Sequence, residues 1–257
     1  MSPVIPPPNP KTPQIGTILS LRDPSVAELL AEPFDFVWLD FEHGALEVGD
    51  LHQLLPALRA AEVDVYARLP GLETDRLPAI LDAGVEGVVV PMVETTQAAK
   101  AIAARLRYPP NGTRGYGPRR AGGYGRARDY WASDAAKVRC LLQIETQRAL
   151  EIAREIAAVE GIDGLVVGPA DLSFSLGRPL QFDDPVLLDA IEQIADAAEA
   201  AGIDFGVAGP DGVSIARLGG GRATIAIVGV DVRVFAAAAT AIAREAKQAL
   251  ARGPGSA

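Results

Sequence analysis

The chain has 257 residues, 49% hydrophobic and 22% charged, which suits one large α/β domain and excludes disorder. Its net charge of −9 argues against nucleic acid or an anionic membrane as the main partner. There is no signal-peptide core and no apolar run long enough to span a membrane, and the single cysteine, Cys140, suits a reducing compartment, so we expect a cytoplasmic location.

From residue 14 onward, short apolar runs alternate with longer amphipathic segments. The predicted strands are 16–20, 36–40, 63–69, 87–91, 139–145, 164–168, 204–208 and 224–228. The predicted helices are 24–31, 50–61, 74–83, 95–107, 146–157, 184–201, 211–218 and 232–251. Eight β–α units in about 240 residues predict a single-domain α/β fold, the TIM (β/α)8 barrel, over residues 14–250. A doubly wound sheet is disfavoured, because no G-x-G-x-x-G follows the first strand.

The Pro-rich segment 1–13 and the tail 251–257 are expected to be flexible. Inside the domain, the segment 109–130 breaks the β–α alternation. It is rich in glycine and carries five arginines interleaved with tyrosines: Arg114, Arg119, Arg120, Arg126 and Arg128, with Tyr116 and Tyr124. Long loops inside a domain are usually functional, so we expect an anion-binding or subunit-contact loop, with a solvated basic loop as the open alternative.

Two neighbouring strands are each followed by a carboxylate. Strict alternation in 140–145 sends Leu141, Gln143 and Glu145 to one face, and Asp171 follows the next strand. Because parallel α/β folds keep their active sites at the carboxyl ends of the strands, we expect Glu145 and Asp171 to lie together. Two carboxylates there predict a site for a hard divalent cation, with positions left for water or substrate.

The segment 168–171, Gly-Pro-Ala-Asp, opens a short helix whose free N–H groups can bind a carboxylate or phosphate. The four lysines do not follow the strands, so a Schiff-base mechanism is not expected. They are Lys11, Lys100, Lys137 and Lys247. The sequence also lacks a Gly-x-Ser-x-Gly nucleophile motif.

Two further candidates end the second and third strands. His43, three residues after Asp40, is predicted to be a general base oriented by that carboxylate, with a capping histidine as the alternative. His52 lies in a leucine-rich helix and is expected at the surface. Arg68 is predicted to face the barrel interior, where a buried arginine needs an anionic partner. It would stabilise an enolate oxygen or a carboxylate, or else form an internal salt bridge with Asp40 or Glu145.

Six motifs, in this order, resemble the HpcH/HpaI family of metal-dependent class II pyruvate aldolases, whose type members are 4-hydroxy-2-oxoheptanedioate aldolase and 2-dehydro-3-deoxyglucarate aldolase. The resemblance covers roughly residues 14–250. The motifs are Asp40-x-Glu42-His43, Arg68, Pro91-Met92-Val93, Arg107-Tyr108-Pro109-Pro110-x-Gly112-x-Arg114-Gly115, Gln143-Ile144-Glu145-Thr146 and Gly168-Pro169-Ala170-Asp171-Leu172-Ser173. Phe41 and the Arg119-Arg120 pair depart from the type members.

The resemblance implies a homotrimer or homohexamer, often with the C-terminal helix exchanged between subunits. It also implies that Glu145 and Asp171 bind Mg²⁺, Mn²⁺ or Co²⁺. The implied catalytic residues are His43, Asp40 and Arg68, with His43 as the base paired to Asp40. The implied contacts to a keto acid come from Arg68, Gln143 and the segment that holds Gly168, Pro169, Ala170 and Asp171, with the amides of Ala170 and Asp171 on its carboxylate.

The expected function is aldol addition and retro-aldol cleavage of 4-hydroxy-2-oxo acids. Pyruvate or hydroxypyruvate would be the enolate donor, and an aldehyde the acceptor. Two alternatives of the same superfamily are an acyl-CoA lyase like the citrate lyase β subunit and an enzyme that processes an enolpyruvate. An alternative of another class is a non-catalytic barrel that serves binding or assembly.

Overall fold

Eight parallel strands close into a barrel, in which each strand is hydrogen-bonded to the next along the chain and the last to the first. The computed structural model describes residues 12–133 and 135–252. The strands are β1 (Gln14–Leu19), β2 (Phe36–Asp40), β3 (Asp64–Arg68), β4 (Gly87–Val90), β5 (Arg139–Ile144), β6 (Gly164–Val167), β7 (Asp204–Gly209) and β8 (Ile225–Val230). Each lies within two residues of its prediction, and the TIM-barrel prediction is confirmed.

Helices cover the outside of the barrel and differ from the predictions at a few places. They are α1 (Pro24–Ala31), α2 (Leu51–Ala60), α3 (Leu77–Ala83), α4 (Thr96–Arg105), α5 (Gln147–Glu151), α6 (Ala153–Ala157), α7 (Pro169–Ser175), α8 (Pro185–Ala201), α9 (Gly212–Gly219) and α10 (Asp231–Arg252). The helix predicted over 74–83 begins later because Pro78 is tolerated only in a first turn. The helix predicted over 146–157 is divided at Ile152, which has a non-helical φ of −121°.

The two faces of each strand pack in different layers. Val65 and Ala67 belong to the large core between strands and helices, whereas Tyr66 lies inside the barrel, as the alternation predicts. Seven other side chains share that interior layer: Phe36, Trp38, Val89, Leu141, Val166, Ile225 and Ile227. A Cβ on Gly87 would come within 2.6 Å of the Tyr66 ring, so this glycine makes room for the aromatic layer. The barrel is therefore filled below its carboxyl end.

The segment 109–130 lies at the opposite, amino end of the barrel, because it connects the end of α4 to the start of β5. Arg114 is buried there between two aromatic rings, 4.7 Å from the Tyr108 centroid and 5.7 Å from the Tyr130 centroid. Its Nη2 also lies 3.3 Å from Oδ1 of Asp82. Arg114 is thus a structural residue that fixes the loop to α3, while the predicted anion-binding or subunit-contact role of the loop stays a prediction.

The last helix, α10, is attached to the barrel at its first residue. Asp231 is fully buried, and its carboxylate accepts hydrogen bonds from the Ser20 and Leu21 amides at 2.8 and 2.7 Å and from the Ser20 hydroxyl at 2.6 Å. From residue 232 to residue 251 the helix is exposed, including Phe235 and Ile242. The attachment therefore joins β8 to the end of β1 and leaves the rest of the helix without a covering layer.

The predicted flexible ends fall mostly on residues 1–11 and 253–257, which lie outside the described residues. The first two residues of the predicted tail 251–257 are helical, since α10 continues to residue 252. Among the described residues, no helix is both long and apolar enough to cross a membrane.

The attachment of α10 predicts a measurable loss of stability. We expect Asp231→Ala to lower the free energy of unfolding by about 3 kcal/mol, because two backbone N–H groups lose their acceptors. Urea denaturation followed by circular dichroism measures this loss. Asp75→Ala is the control, because it removes the same charge from an exposed position. Equal unfolding midpoints for the two variants would contradict the role given to Asp231.

Candidate active site

A cavity of about 330 Å³ opens at the carboxyl end of the strands. All the residues predicted to bind substrate line it: Arg68, Gln143, Gly168, Pro169, Ala170 and Asp171. A larger cleft of about 710 Å³ lies at the amino end, around Glu86 and Arg139. We assign the active site to the smaller cavity, because the start of α7 lines it together with Arg68 and Gln143, whose side chains contact the buried carboxylates of Asp40 and Glu145.

Arg68 is held in place by two carboxylates. Asp40 and Arg68 are opposite each other in the β2–β3 register, and the guanidinium makes a paired contact, Nε to Oδ1 at 2.9 Å and Nη2 to Oδ2 at 2.7 Å. Its Nη1 lies 3.2 Å from Oε2 of Glu42, and the group lies over the Trp38 ring at 5.3 Å. The internal salt bridge with Asp40 is therefore formed, and Arg68 still reaches the cavity wall.

The pKa values of the two carboxylates beside Arg68 move in opposite directions. Burial acts to raise the pKa of Asp40, but the Arg68 guanidinium and the amides of His43 and Glu42 outweigh it and hold that pKa below its usual range. The pKa of Glu42 is raised, first by burial and then by the charges of Asp40 and Asp171, against Arg68 and His43. The sequence alone predicts no role for Glu42, although it stands in the same short motif as Asp40 and His43.

His43 lies at the edge of this group rather than on the cavity wall. Its ring is 67% exposed, and Nε2 is 3.6 Å from Oε2 of Glu42. Within residues 12–133, the hydrogen bond between Asp40 and His43 is made through the backbone, where the His43 amide donates to Oδ1 at 3.2 Å. The carboxylate nearest the imidazole is thus Glu42, where the sequence predicted Asp40. His52, by contrast, is exposed on α2, as expected.

Glu145 is almost fully buried at the end of β5. Its Oε1 accepts the Met92 amide at 2.7 Å, and its Oε2 accepts from the Gln143 side chain. Burial raises the pKa of Glu145 to about 7; these two hydrogen bonds act to lower it, and the charges of Glu42 and Asp171 raise it further. Three carboxylates therefore repel one another at one end of the barrel.

Met92 takes part in this arrangement through its backbone. It has a left-handed φ of 57°, which costs a non-glycine residue about 1–3 kcal/mol. That conformation turns its N–H toward Glu145. The sequence offered the Pro91-Met92-Val93 motif but no signal for this contact, because backbone direction in a loop does not follow strand alternation.

The residues present fit a divalent cation. Oxygen ligands suit Mg²⁺ and Mn²⁺, and Oε1 of Gln143 is buried without a hydrogen-bond partner. A Cβ on Gly168 would come within 2.8 Å of Nε2 of Gln143 and 3.1 Å of Oε2 of Glu145, so this glycine keeps the space beside Glu145 open. No three His, Cys, Asp or Glu side chains in the described ranges could hold an ion, so a two-carboxylate site would depend on water and substrate for its other ligands.

The start of α7 completes the wall. Gly168 precedes the helix, Pro169 is its first residue, and Asp171 lies in its first turn. The amides of Ala170 and Asp171 have no acceptor within the helix, because first-turn N–H groups never do. The two departures from the type members lie elsewhere: Phe41 is buried in the core between strands and helices, and Arg119-Arg120 lies at the amino end.

Comparison with known proteins agrees with this geometry. Residues 14–238 match the model of the HpcH/HpaI aldolase/citrate lyase family. The chain belongs to this family. Its sequence is 38% identical to a hydroxypyruvate/pyruvate aldolase of Deinococcus radiodurans, over 91% of this chain and 86% of that protein. It is 34% identical to a 5-keto-4-deoxy-D-glucarate aldolase of Escherichia coli, over 91% and 92%.

A solved structure agrees as well. A HpcH/HpaI aldolase/citrate lyase family protein from Burkholderia cenocepacia superimposes with a TM-score of 0.87 at 30% identity, covering 92% of this chain and 95% of that one. With curated relatives that are aldolases over nine tenths of the chain, this protein is an aldolase, a carbon–carbon lyase of the HpcH/HpaI family. The predicted family and enzyme class are confirmed.

Proposed function

We propose that this aldolase adds pyruvate or hydroxypyruvate to an aldehyde and cleaves the resulting 4-hydroxy-2-oxo acid in the reverse direction. The observation that carries the proposal is Arg68, fixed by Asp40 and Glu42 on the wall of a cavity that also contains the start of α7. The positive charge of Arg68 and the free amides of Ala170 and Asp171, on the wall of one cavity, suit a small keto acid. The relatives named pyruvate, hydroxypyruvate and keto-deoxyglucarate aldolases support the same donor class.

We further propose that Glu145 and Asp171 are the protein ligands of a divalent metal, Mg²⁺, Mn²⁺ or Co²⁺. Such an ion would supply Lewis-acid stabilisation of negative charge on the keto oxygen. The chain's own part is to keep Glu145 in place through Met92 and Gln143, and to keep the space beside it clear through Gly168.

Arg68 is proposed to stabilise the enolate. Its fork is fixed before substrate binds, so little reorganisation is needed as charge grows on the keto oxygen. The amides of Ala170 and Asp171 would bind the substrate carboxylate, and Gln143 would lie beside the keto acid. These contacts orient the methyl group that loses its proton.

His43 is proposed as the base that takes this proton, with Asp40 fixing its backbone and Glu42 its ring. An imidazole beside a carboxylate has the chemistry of a general base. Catalytic contacts of a base often tighten only when substrate is bound, so the open position of the ring is compatible with this role.

For the assembly, we propose a homotrimer or homohexamer with α10 exchanged between subunits. The exposure of Phe235, Ile242 and Leu250 along a helix whose described side chains are exposed from residue 232 to residue 251 supports this proposal, because large exposed apolar side chains in a row are typical of an interface. The cytoplasmic location stays a prediction.

The family description also includes citrate lyases, so an acyl-CoA lyase is the second candidate. The exchange of pyruvate methyl protons with D₂O separates the two. An aldolase with a pyruvate donor enolises pyruvate without any acceptor, whereas an acyl-CoA lyase needs its thioester. An enolpyruvate-processing enzyme would turn over the enolpyruvate instead.

We expect the protein to exchange pyruvate methyl protons in D₂O, followed by NMR, with loss of exchange in EDTA and recovery with Mn²⁺, Co²⁺ or Mg²⁺. His43→Ala should slow exchange by about 100-fold or more, the usual contribution of a positioned base. His52→Ala is the matched control, because it removes the other histidine from an exposed helix position. Full exchange in EDTA would refute the requirement for a metal, and normal exchange in His43→Ala would refute the role of His43 as the base.

Arg68→Lys tests enolate stabilisation against simple binding. Lysine keeps the charge but cannot make the paired contact to Asp40 or present a planar fork. We expect kcat to fall by roughly 100-fold with a smaller change in KM, since the lost contact strengthens in the transition state. A large rise in KM with unchanged kcat would make Arg68 a uniform binding contact instead.

A further inference from the structure

The cleft of about 710 Å³ at the amino end of the barrel, the amino-end cleft, is rich in positive charge. Among the described residues, five basic and two acidic side chains line it: Arg59, Arg120, Arg126, Lys137 and Arg139, with Asp64 and Glu86. In a chain with a net charge of −9, this excess is a local exception. A concave surface of this size and charge suits a small anionic ligand.

Two of these cations are compensated inside the protein. Arg59 forms an ion pair with Glu86, and Arg139 forms one with Asp204. Arg139 also donates from Nη1 to the Tyr66 hydroxyl at 3.1 Å. Both guanidinium groups are therefore occupied within the protein, unlike the two arginines that the segment 109–130 contributes.

Those two arginines keep donors for a ligand. The Arg120 side chain is half-buried and forms no hydrogen bond or ion pair with any described residue. The exposed Arg126 donates from Nε to the Gly123 carbonyl at 2.8 Å, and its two Nη groups have no partner within the described ranges. Two uncompensated guanidinium groups therefore belong to the same cleft.

A compact turn holds the two arginines close to each other. The Gly123 amide donates to the Arg120 carbonyl at 2.9 Å, and the Gly123 carbonyl accepts from both the amide and the side chain of Arg126. The turn is attached to the end of α3, because the Ala121 amide donates to the Asp82 carbonyl at 3.1 Å. The positions of both arginines are thus set by hydrogen bonds before any ligand binds.

An aromatic side chain from the same turn also lines the cleft. Tyr124 has a left-handed φ of 57° and lies between two glycines that also have positive φ. This conformation is unfavourable for a residue other than glycine, and such strained positions concentrate where proteins contact ligands. Tyr124 is nevertheless 61% exposed. Its ring offers an apolar face in a cleft lined by charged groups.

We infer that the amino-end cleft binds a small phosphate ester, with the phosphate paired to Arg120 and Arg126 and the organic part against Tyr124. A guanidinium fork matches the geometry of phosphate oxygens, and a dianionic phosphate can compensate two such forks. A monocarboxylate such as pyruvate compensates one. The inference does not depend on the proposed function, because this cleft and the active site lie at opposite ends of the barrel.

The test measures the binding of two probes, phenyl phosphate and inorganic phosphate, by ³¹P NMR titration. Mg²⁺ and saturating pyruvate are present, so that the carboxyl-end cavity is occupied. We expect both probes to bind, phenyl phosphate more tightly. Arg120→Met and Arg126→Met should each weaken both probes by about 10-fold, the usual effect of losing a charge-assisted hydrogen bond. Tyr124→Ala should weaken phenyl phosphate alone, by about 5-fold, the scale of an aromatic contact.

Arg128→Met is the matched control, because Arg128 is exposed in the same segment and does not line the cleft. Failure of both probes to bind, unchanged affinity in both Arg120→Met and Arg126→Met, or an equal loss in Arg128→Met would overturn the phosphate site. Unchanged binding of phenyl phosphate to Tyr124→Ala would overturn the assignment of its ring to Tyr124. Pyruvate proton exchange is measured separately, so failure of this inference is distinguishable from failure of the proposed function.

Discussion

The buried contact between Arg68 and Asp40 is the interaction on which the site depends. A guanidinium this deep is tolerated only beside negative charge, and removing one partner of such a pair costs about 3–5 kcal/mol. The β2–β3 register places the two residues opposite each other, and Glu42 adds a second carboxylate from the loop that follows. The fork is therefore oriented by the sheet itself, and its direction at the cavity wall does not depend on a mobile loop.

A second constraint is the excess of negative charge beside that pair. Arg68 compensates Asp40 and Glu42. The hydrogen bonds that Glu145 accepts in the described part of the chain come from the neutral groups of Met92 and Gln143, and burial, with the charges of Glu42 and Asp171, raises its pKa to about 7. Such a group is stabilised by a proton or by a cation. The left-handed backbone at Met92 accompanies an N–H that donates to Glu145, and the absence of a side chain at Gly168 leaves space beside the same carboxylate. Both features are explained by the position of Glu145.

Strand alternation explains why much of the site could be predicted. It predicts Tyr66 and Arg68 inside the barrel and Gln143 and Glu145 on one face, and the structure agrees, since the side chains of Gln143 and Glu145 are hydrogen-bonded. Alternation ends soon after a strand ends, so it carries no information on Glu42 or Met92. The same limit explains the predicted Asp40–His43 side-chain contact, which the structure replaces by a backbone bond. The helix predicted over 146–157 is broken at Ile152 by a non-helical φ of −121°, which strand alternation does not predict either.

The central claim is that Glu145 and Asp171 together hold a divalent cation at the end of the barrel. Mn²⁺ binding, followed by electron paramagnetic resonance, tests it directly. The account predicts a single site that binds more tightly when pyruvate is present, and at least 10-fold weaker binding in Glu145→Gln and in Asp171→Asn, about the loss caused by disturbing a ligand. Glu155→Gln, on the exposed face of α6, should bind like the unmodified protein. Unchanged Mn²⁺ affinity in both Glu145→Gln and Asp171→Asn would contradict the claim.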